Sequence, residues 1–175
     1  QSLSTFADVM VKGTWHVAEA CARTAVRRLV NISSIVARGA IPPGEQLCHT
    51  SDPCDFREGD LFYCLAKHLS EQIGLAYHQA HGLSVIHLRP GVIAGDGANP
   101  GPAPPKPPAR GRWFVYVDPR DVAQAVELAL GASGLAYGCY NIVAGRSDSL
   151  LDWAAAEHDL GYRPQFNWPE IPETC

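Results

Sequence analysis

Phe62-Tyr63-Cys64-Leu65-Ala66-Lys67-His68, read on through Gly82 into Leu83-Ser84-Val85-Ile86-His87-Leu88-Arg89, decides the architecture of this chain. Phe62, Leu65, Ala66, Leu69, Ile73, Ala76, Tyr77 and Ala80 recur at helical spacing and predict one buried stripe on a long helix. The helix stops near His81-Gly82, where glycine suits a C-terminal cap, and the next apolar run reads as a strand closed by Pro90-Gly91. Tyr63, Lys67, Ser70 and Gly74 fall on a different face, so a phenol and an ammonium emerge one turn apart. A phenol with an ordinary pKa near ~10 carries protons poorly at neutral pH. A neighbouring ammonium favours phenolate and draws that value toward the working range, which makes a plausible acid/base pair. Tyr and Lys at this spacing also occur by chance on many helices, so the pair gains its weight from its surroundings.

Upstream, Ser4 to Thr24 reads as an amphipathic helix with Phe6, Val9, Met10, Gly13, Val17, Ala20 and Cys21 on one face, Gly13 permitting close approach of a neighbour. Arg28-Leu29-Val30-Asn31-Ile32-Ser33 follows as a short strand ending in Ser33-Ser34. Chemistry in parallel α/β sheets gathers at the carboxyl ends of strands, so hydroxyls there are well sited. Gly39 to Gly59 is loop. Gly95 to Arg112 is a Pro/Gly-rich stretch in which neither helix nor strand survives, and it predicts a loop over a substrate cleft. Trp113 to Val117 is β-like, Asp118-Pro119 opens a helix as N-cap and first helical residue, Tyr137 to Val143 is a strand, and Ser149 to His158 a further helix. This alternation predicts parallel βαβ units in one α/β domain over residues 1–175: a partial Rossmann-like, doubly wound sheet flanked by helices, with a small substrate-side loop region at 95–112.

Composition narrows the partners. The chain has 175 residues, 46% hydrophobic and 18% charged, which is ordinary globular composition. Its net charge of -4 and the lack of any basic run beyond Arg27-Arg28 argue against nucleic acid and anionic membrane as partners. The apolar runs are too short to span a membrane, and the start carries no signal-peptide pattern. Six cysteines show no C-x-x-C pairing. Cys48-His49 with Cys54, or Cys64 with His68, matches no structural zinc module, so no metal is expected. Cys21, Cys64 and Cys139 read as small hydrophobes, and a reducing, cytoplasmic setting fits this usage.

With Ser33-Ser34, Tyr63-x-x-x-Lys67 and Arg89-Pro90-Gly91-Val92 in order, the chain resembles the extended short-chain dehydrogenase/reductases, the NAD-dependent epimerase/dehydratase group. Val11-Lys12-Gly13-Thr14 looks like that family's helix motif, Val115-Tyr116-Val117-Asp118-Pro119-Arg120-Asp121-Val122-Ala123 like its V-H-V-D-D-V-A segment, and Leu160-Gly161-Tyr162-Arg163-Pro164 like its C-terminal signature. The resemblance implies Tyr63 as general acid/base, Lys67 tuning it and bonding the nicotinamide ribose, and Ser34 orienting the reacting oxygen, with Ser33 second to it. It also implies that Pro90, Gly91 and Val92 line the nicotinamide end of the pocket, that Tyr63 and Lys67 contact the cofactor with them, and that NAD or NADP is the cofactor and a small molecule the substrate. The reaction implied is oxidation or reduction of a secondary alcohol/ketone, or epimerisation of a sugar nucleotide. The helices starting near Phe6 and Leu61 often pair across a homodimer in that family.

The departures matter as much. The family's opening βαβ unit, with its Gly-rich turn for the dinucleotide pyrophosphate, has no counterpart here, and neither Gly131 to Gly138 nor Gly95-Asp96-Gly97 has the strand-turn-helix context to replace it. Met10 stands where the family commonly has Asn, and Arg38-Gly39 where Tyr-Gly is usual. The expectation is a C-terminal portion of such an enzyme, incomplete in its nucleotide site and open to association with a chain supplying the missing half. The alternative is a non-catalytic binding or scaffold protein derived from that fold. A serine or cysteine hydrolase lacks its G-x-S-x-G elbow.

Overall fold

A computed structural model describes residues 3–39, 54, 56, 60–93, 116–144 and 151–166. The 95–112 stretch, Trp113 to Val115 and most of the loop before Asp60 lie outside the described residues.

The chain opens on α1 (Leu3–Phe6), passes through a π-helical segment (Ala7–Lys12) and continues as α2 (Gly13–Arg23). The i→i+5 bonding of the π segment turns the helix relative to the regular 3.6-residue reading. Val9 and Val17 therefore face outward, while Phe6 and Ala18 are buried, with Val11, Cys21 and Ala22 beside Ala18's cluster. The apolar face expected from Val9 to Val17 is corrected accordingly. Gly13 also differs from expectation: a Cβ there meets only the Asp8 carbonyl oxygen, at an ordinary 3.8 Å.

Three parallel strands follow in the order β1 (Arg28–Ile32), β2 (Ser84–Pro90), β5 (Tyr137–Ile142). A second, two-stranded parallel ladder pairs β3 (Val92–Ile93) with β4 (Tyr116–Val117) just past the end of β2. Side chains alternate across the central strand. Ile86 and Leu88 enter a core with Tyr140, Ile142, Val122, Ala125, Leu160 and Tyr162, whereas Val85 joins Ala18, Ile73, Tyr77 and Leu83. Helix α4 (Pro119–Gly131) starts as its sequence predicts, with Asp118 as N-cap accepting from Arg120 N and Pro119 in the first turn. Its far end is held by Arg28, whose guanidinium donates to the Ala129, Ala132 and Leu135 carbonyls at 2.7, 2.6 and 2.5 Å. Helix α5 (Ala154–Leu160) begins later than Ser149. Asp152 accepts from Ala154 N at 2.8 Å while its carbonyl takes the Asn141 amide, and Leu151 is buried with Ile35 and Val143.

Helix α3 (Leu61–His81) is capped at its start by Asp60, which accepts from Tyr63 N at 3.2 Å, and at its end by Gly82 at φ 67°. Its rotation keeps Ala66, Ile73 and Tyr77 of the predicted stripe inside and turns Phe62, Leu65, Leu69, Ala76 and Ala80 outward. Phe62, Leu65 and Leu69 are 52%, 41% and 38% exposed, while Cys64, Ala66, Ser70, Glu71, Ile73, Gly74 and Tyr77 are buried. Polar residues face the sheet because the sheet supplies their partners, and Gly74 lets the helix come down onto His87. A Cβ at Gly74 falls 2.5 Å from His87 Cε1 and 3.0 Å from Val85 Cγ1. Gly74→Ala therefore lowers stability by about 1–3 kcal/mol through overpacking, against a helix-propensity gain of about 1 kcal/mol. Gly131→Ala, where a Cβ meets nothing within 4 Å, is neutral or stabilising. Urea unfolding midpoints compare the two, and an undiminished midpoint for Gly74→Ala refutes the close approach.

Candidate active site

Parallel strands bring their carboxyl ends to one edge, and β1 and β2 carry Ser33-Ser34 and Pro90-Gly91 to it. Ser33 N bonds the Leu88 carbonyl at 2.7 Å, carrying β1 one residue further along β2. The two serines then part company. Ser33 is buried and its hydroxyl donates to Glu71 Oε1 at 2.5 Å. Ser34 is half-buried, and among the described residues its Oγ accepts one long bond of 3.4 Å from Val36 N as it opens the short 3-10 turn Ile35–Arg38.

Lys67 reaches back from α3 to the same strand end, its Nζ donating to the Ile32 carbonyl at 2.8 Å and lying 5.9 Å from the Tyr63 ring centroid. Tyr63 is half-buried and meets the Phe6 ring edge-on at 5.8 Å. Pro90 is buried in register with Ile142, Gly91 N bonds the Ile142 carbonyl at 3.0 Å, and Val92 is exposed. Ser34, Lys67 and the Pro90-Gly91-Val92 turn thus share the carboxyl edge, with Tyr63 one helical turn from Lys67.

Beneath them lies a polar layer that spacing did not reveal. Glu71 accepts two bonds from Arg89, Nε to Oε1 at 2.8 Å and Nη2 to Oε2 at 2.7 Å. Both side chains are buried. Burial works to raise the Glu71 pKa, but the Arg89 guanidinium and the Ser33 hydroxyl prevail and hold it below the usual carboxylate range. Burial pulls the Lys67 ammonium below the ordinary lysine value, and the Glu71 charge opposes that pull. Asn31 Nδ2 donates to His87 Nδ1 at 3.0 Å, leaving Nε2 without a partner among the described residues. The signal for this layer was present: Arg89 sits inside an apolar strand, and a buried cation demands a buried anion.

Cys54 Sγ lies 3.5 Å from His68 Nδ1, whereas Cys64 is buried on the adjoining helix face. Among the described residues no three His, Cys, Asp or Glu side chains group to hold a metal ion. No described helix is long and apolar enough to cross a membrane.

A parallel sheet flanked by helices in this way is an α/β protein of the Rossmann-like class. The chain belongs to the NAD dependent epimerase/dehydratase family, whose family model matches residues 1–108. Among curated proteins it is similar to the L-arabinose 1-dehydrogenase (NAD(P)(+)) of Haloferax volcanii, 27% identical over 182 residues covering 95% of this chain and 69% of that one. Among solved structures it shares its fold with a mutated uronate dehydrogenase, at TM-score 0.76 and 21% identity over 94% of this chain and 55% of that one. It shares the fold also with the UDP-glucuronic acid 4-epimerase of Bacillus cereus in complex with NAD, at TM-score 0.71 and 14% identity, over 94% of this chain and 65% of that one. The chain therefore spans 55% and 65% of those two solved structures.

Burial holds the His87 pKa at about 4, below its ordinary 6.5. The unfolded chain thus takes up this proton first as pH falls. Stability from neutral His87 is complete above pH 6.5 and is lost as pH drops toward 4, by on the order of 3 kcal/mol in all. The urea midpoint declines across that window, and the His87 Cε1 proton resonance holds its neutral position down to about pH 5. An imidazole titrating near its ordinary value contradicts this burial.

Proposed function

We propose that this chain carries the catalytic portion of an NAD(P)-dependent oxidoreductase or epimerase acting on a secondary alcohol/ketone of a sugar or sugar nucleotide. The observation that carries the reading is the bond from Lys67 Nζ to the Ile32 carbonyl, which seats an ammonium at the strand end bearing Ser34, one turn from Tyr63. In this reading Tyr63 takes the hydroxyl proton in oxidation and returns it in reduction, with the Lys67 charge beside it. Ser34, whose hydroxyl is not drawn into the buried layer, holds the reacting oxygen. A bound nicotinamide supplies or accepts hydride at the substrate carbon.

The residues present fit one end of that cofactor. An ammonium has three donors; Lys67 commits one to Ile32, which leaves two for ribose hydroxyls, and Pro90, Gly91 and Val92 border the same edge. Among the described residues no Gly-rich turn joins a strand to a helix N-terminus, so the pyrophosphate end is not provided for. A partner chain or further sequence supplying that half belongs to the proposal. The test is titration of this chain with NADH and then NADPH, following tryptophan-to-nicotinamide energy transfer. Saturation at micromolar levels supports the reading; none at millimolar levels from folded protein leaves the binding or scaffold reading in its place. Once turnover is seen, Tyr63→Phe lowers kcat by about 10²-fold or more with cofactor affinity little changed, while Lys67→Met weakens both.

The same reading includes a homodimer. Val9, Trp15, Val17, Phe62, Leu65 and Leu69 are exposed on the π segment, α2 and α3, and a groove of about 480 Å³ runs between the helices past Trp15, Leu69, Ala76 and Tyr77. Exposed apolar surface of this kind marks an interaction site. Sedimentation gives a dimer that Leu65→Glu or Leu69→Glu converts to monomer; a monomeric parent chain rejects the proposal.

A further inference from the structure

We infer that Glu71, clamped between Ser33 and Arg89, is a positioning residue that fixes both the place and the charge of Lys67. The role assigned to Lys67 rests on the proposed function, but the clamp is independent of it. Lys67 and Glu71 lie four residues apart on one face of α3 and grip consecutive residues of β1: Lys67 takes the Ile32 carbonyl, and Glu71 takes the Ser33 hydroxyl. The next residue is Ser34. Arg89 then fastens Glu71 to β2 through two parallel bonds, and Ser33 N fastens β1 to the Leu88 carbonyl of the same strand. Ser70 adds a further tie, its hydroxyl donating to the Lys67 carbonyl at 2.7 Å and accepting from Asn31 at 3.4 Å. One carboxylate therefore sets helix, hydroxyl-bearing strand end and central strand against one another.

The electrostatic half of the role follows from the same placement. Lys67 is half-buried, which disfavours its charged form, and Glu71 supplies the negative charge that opposes this. The other ionisable groups around the helix give it little such support. On α3 the neighbours are Tyr63, Cys64 and His68, with Asp60 at its N-cap; β2 brings Arg89, spent on Glu71, and the neutral His87. The turn after β1 brings Arg38, and the π segment brings Asp8 and Lys12, which pair with each other at 2.6 Å. From β5 come Tyr137 and Cys139, both with pKa values raised chiefly by burial. Among these described groups the carboxylate acting on Lys67 is Glu71.

The chain has three lysines, Lys12, Lys67 and Lys106, so ¹³Cε labelling gives few resonances, and Lys12→Arg and Lys106→Arg assign them. Lys67 is titrated in the parent chain, in Glu71→Gln, and in the double variant Glu71→Leu/Arg89→Met. The double variant removes both buried charges together and so leaves neither orphaned. The Lys67 midpoint falls by about 1 pH unit or more in folded Glu71→Gln and by a smaller interval in the double variant, where loss of the Arg89 charge offsets part of the loss of Glu71, while those of Lys12 and Lys106 stay in place. If Glu71→Gln does not fold, the double variant alone decides. A Lys67 midpoint equal to the parent's in a folded variant overturns the inference. The readout needs neither cofactor nor turnover, so failure of NADH and NADPH to bind rejects the proposed function without touching this one. Where the parent turns over, the alkaline limb of kcat moves down by the same interval with KM within about twofold, a split that a merely weakened fold does not produce.

Discussion

Helix α3 rests on its sheet through a buried ion pair, and most of what is distinctive in the structure follows from that contact. Glu71 and Arg89 exchange two charge-assisted bonds with almost no solvent access, and Ser33 fills a further lone pair of the carboxylate. Such a pair adds little net stability over an apolar replacement, but losing one partner costs about 3–5 kcal/mol. The consequence is specificity of placement. A helix turned to bury Leu65 and Leu69 orphans the Glu71 charge, and the observed rotation leaves those leucines outside. The exposed apolar stripe and the buried ion pair are two sides of one choice.

The same contact explains why a glycine and a neutral imidazole sit at the centre of the interface. His87 lies between Asn31 and Cys139 in register across the sheet and is fully buried. It reaches the helix at Gly74, where no larger residue fits without displacement. Desolvation keeps the ring neutral, so the layer holds one anion, Glu71, against one guanidinium, Arg89. A second cation at His87 would upset that balance, and burial prevents it.

Much of this was legible from sequence wherever the signal was local. The Asp118-Pro119 start of α4, the Gly82 cap of α3, the strands at Arg28 and Ser84 and the parallel α/β class depend on neighbours in the chain, and the structure has them. So does the spacing that sets Tyr63 and Lys67 one turn apart. The rotation of α3 was misread because periodicity weighs apolar side chains and cannot see that Glu71 has a partner 18 residues on. The face of the first helix was misread because no local propensity announced a π segment at Ala7–Lys12. The resemblance ranks Ser34 ahead of Ser33, and the physical difference between the two hydroxyls is the buried Glu71 partner of Ser33, which no local pattern announces. The Pro/Gly-rich reading of 95–112 lies outside the described residues.

Strand β1 is an edge of the three-stranded sheet, with no strand beyond it among the described residues. Its sequence Arg28-Leu29-Val30-Asn31-Ile32 places no proline along that edge, and its one charge, Arg28, is turned onto the end of α4. Folded proteins blunt an edge of this kind or cover it. Lys67 Nζ, bonded to the Ile32 carbonyl, closes off the carboxyl end of that edge.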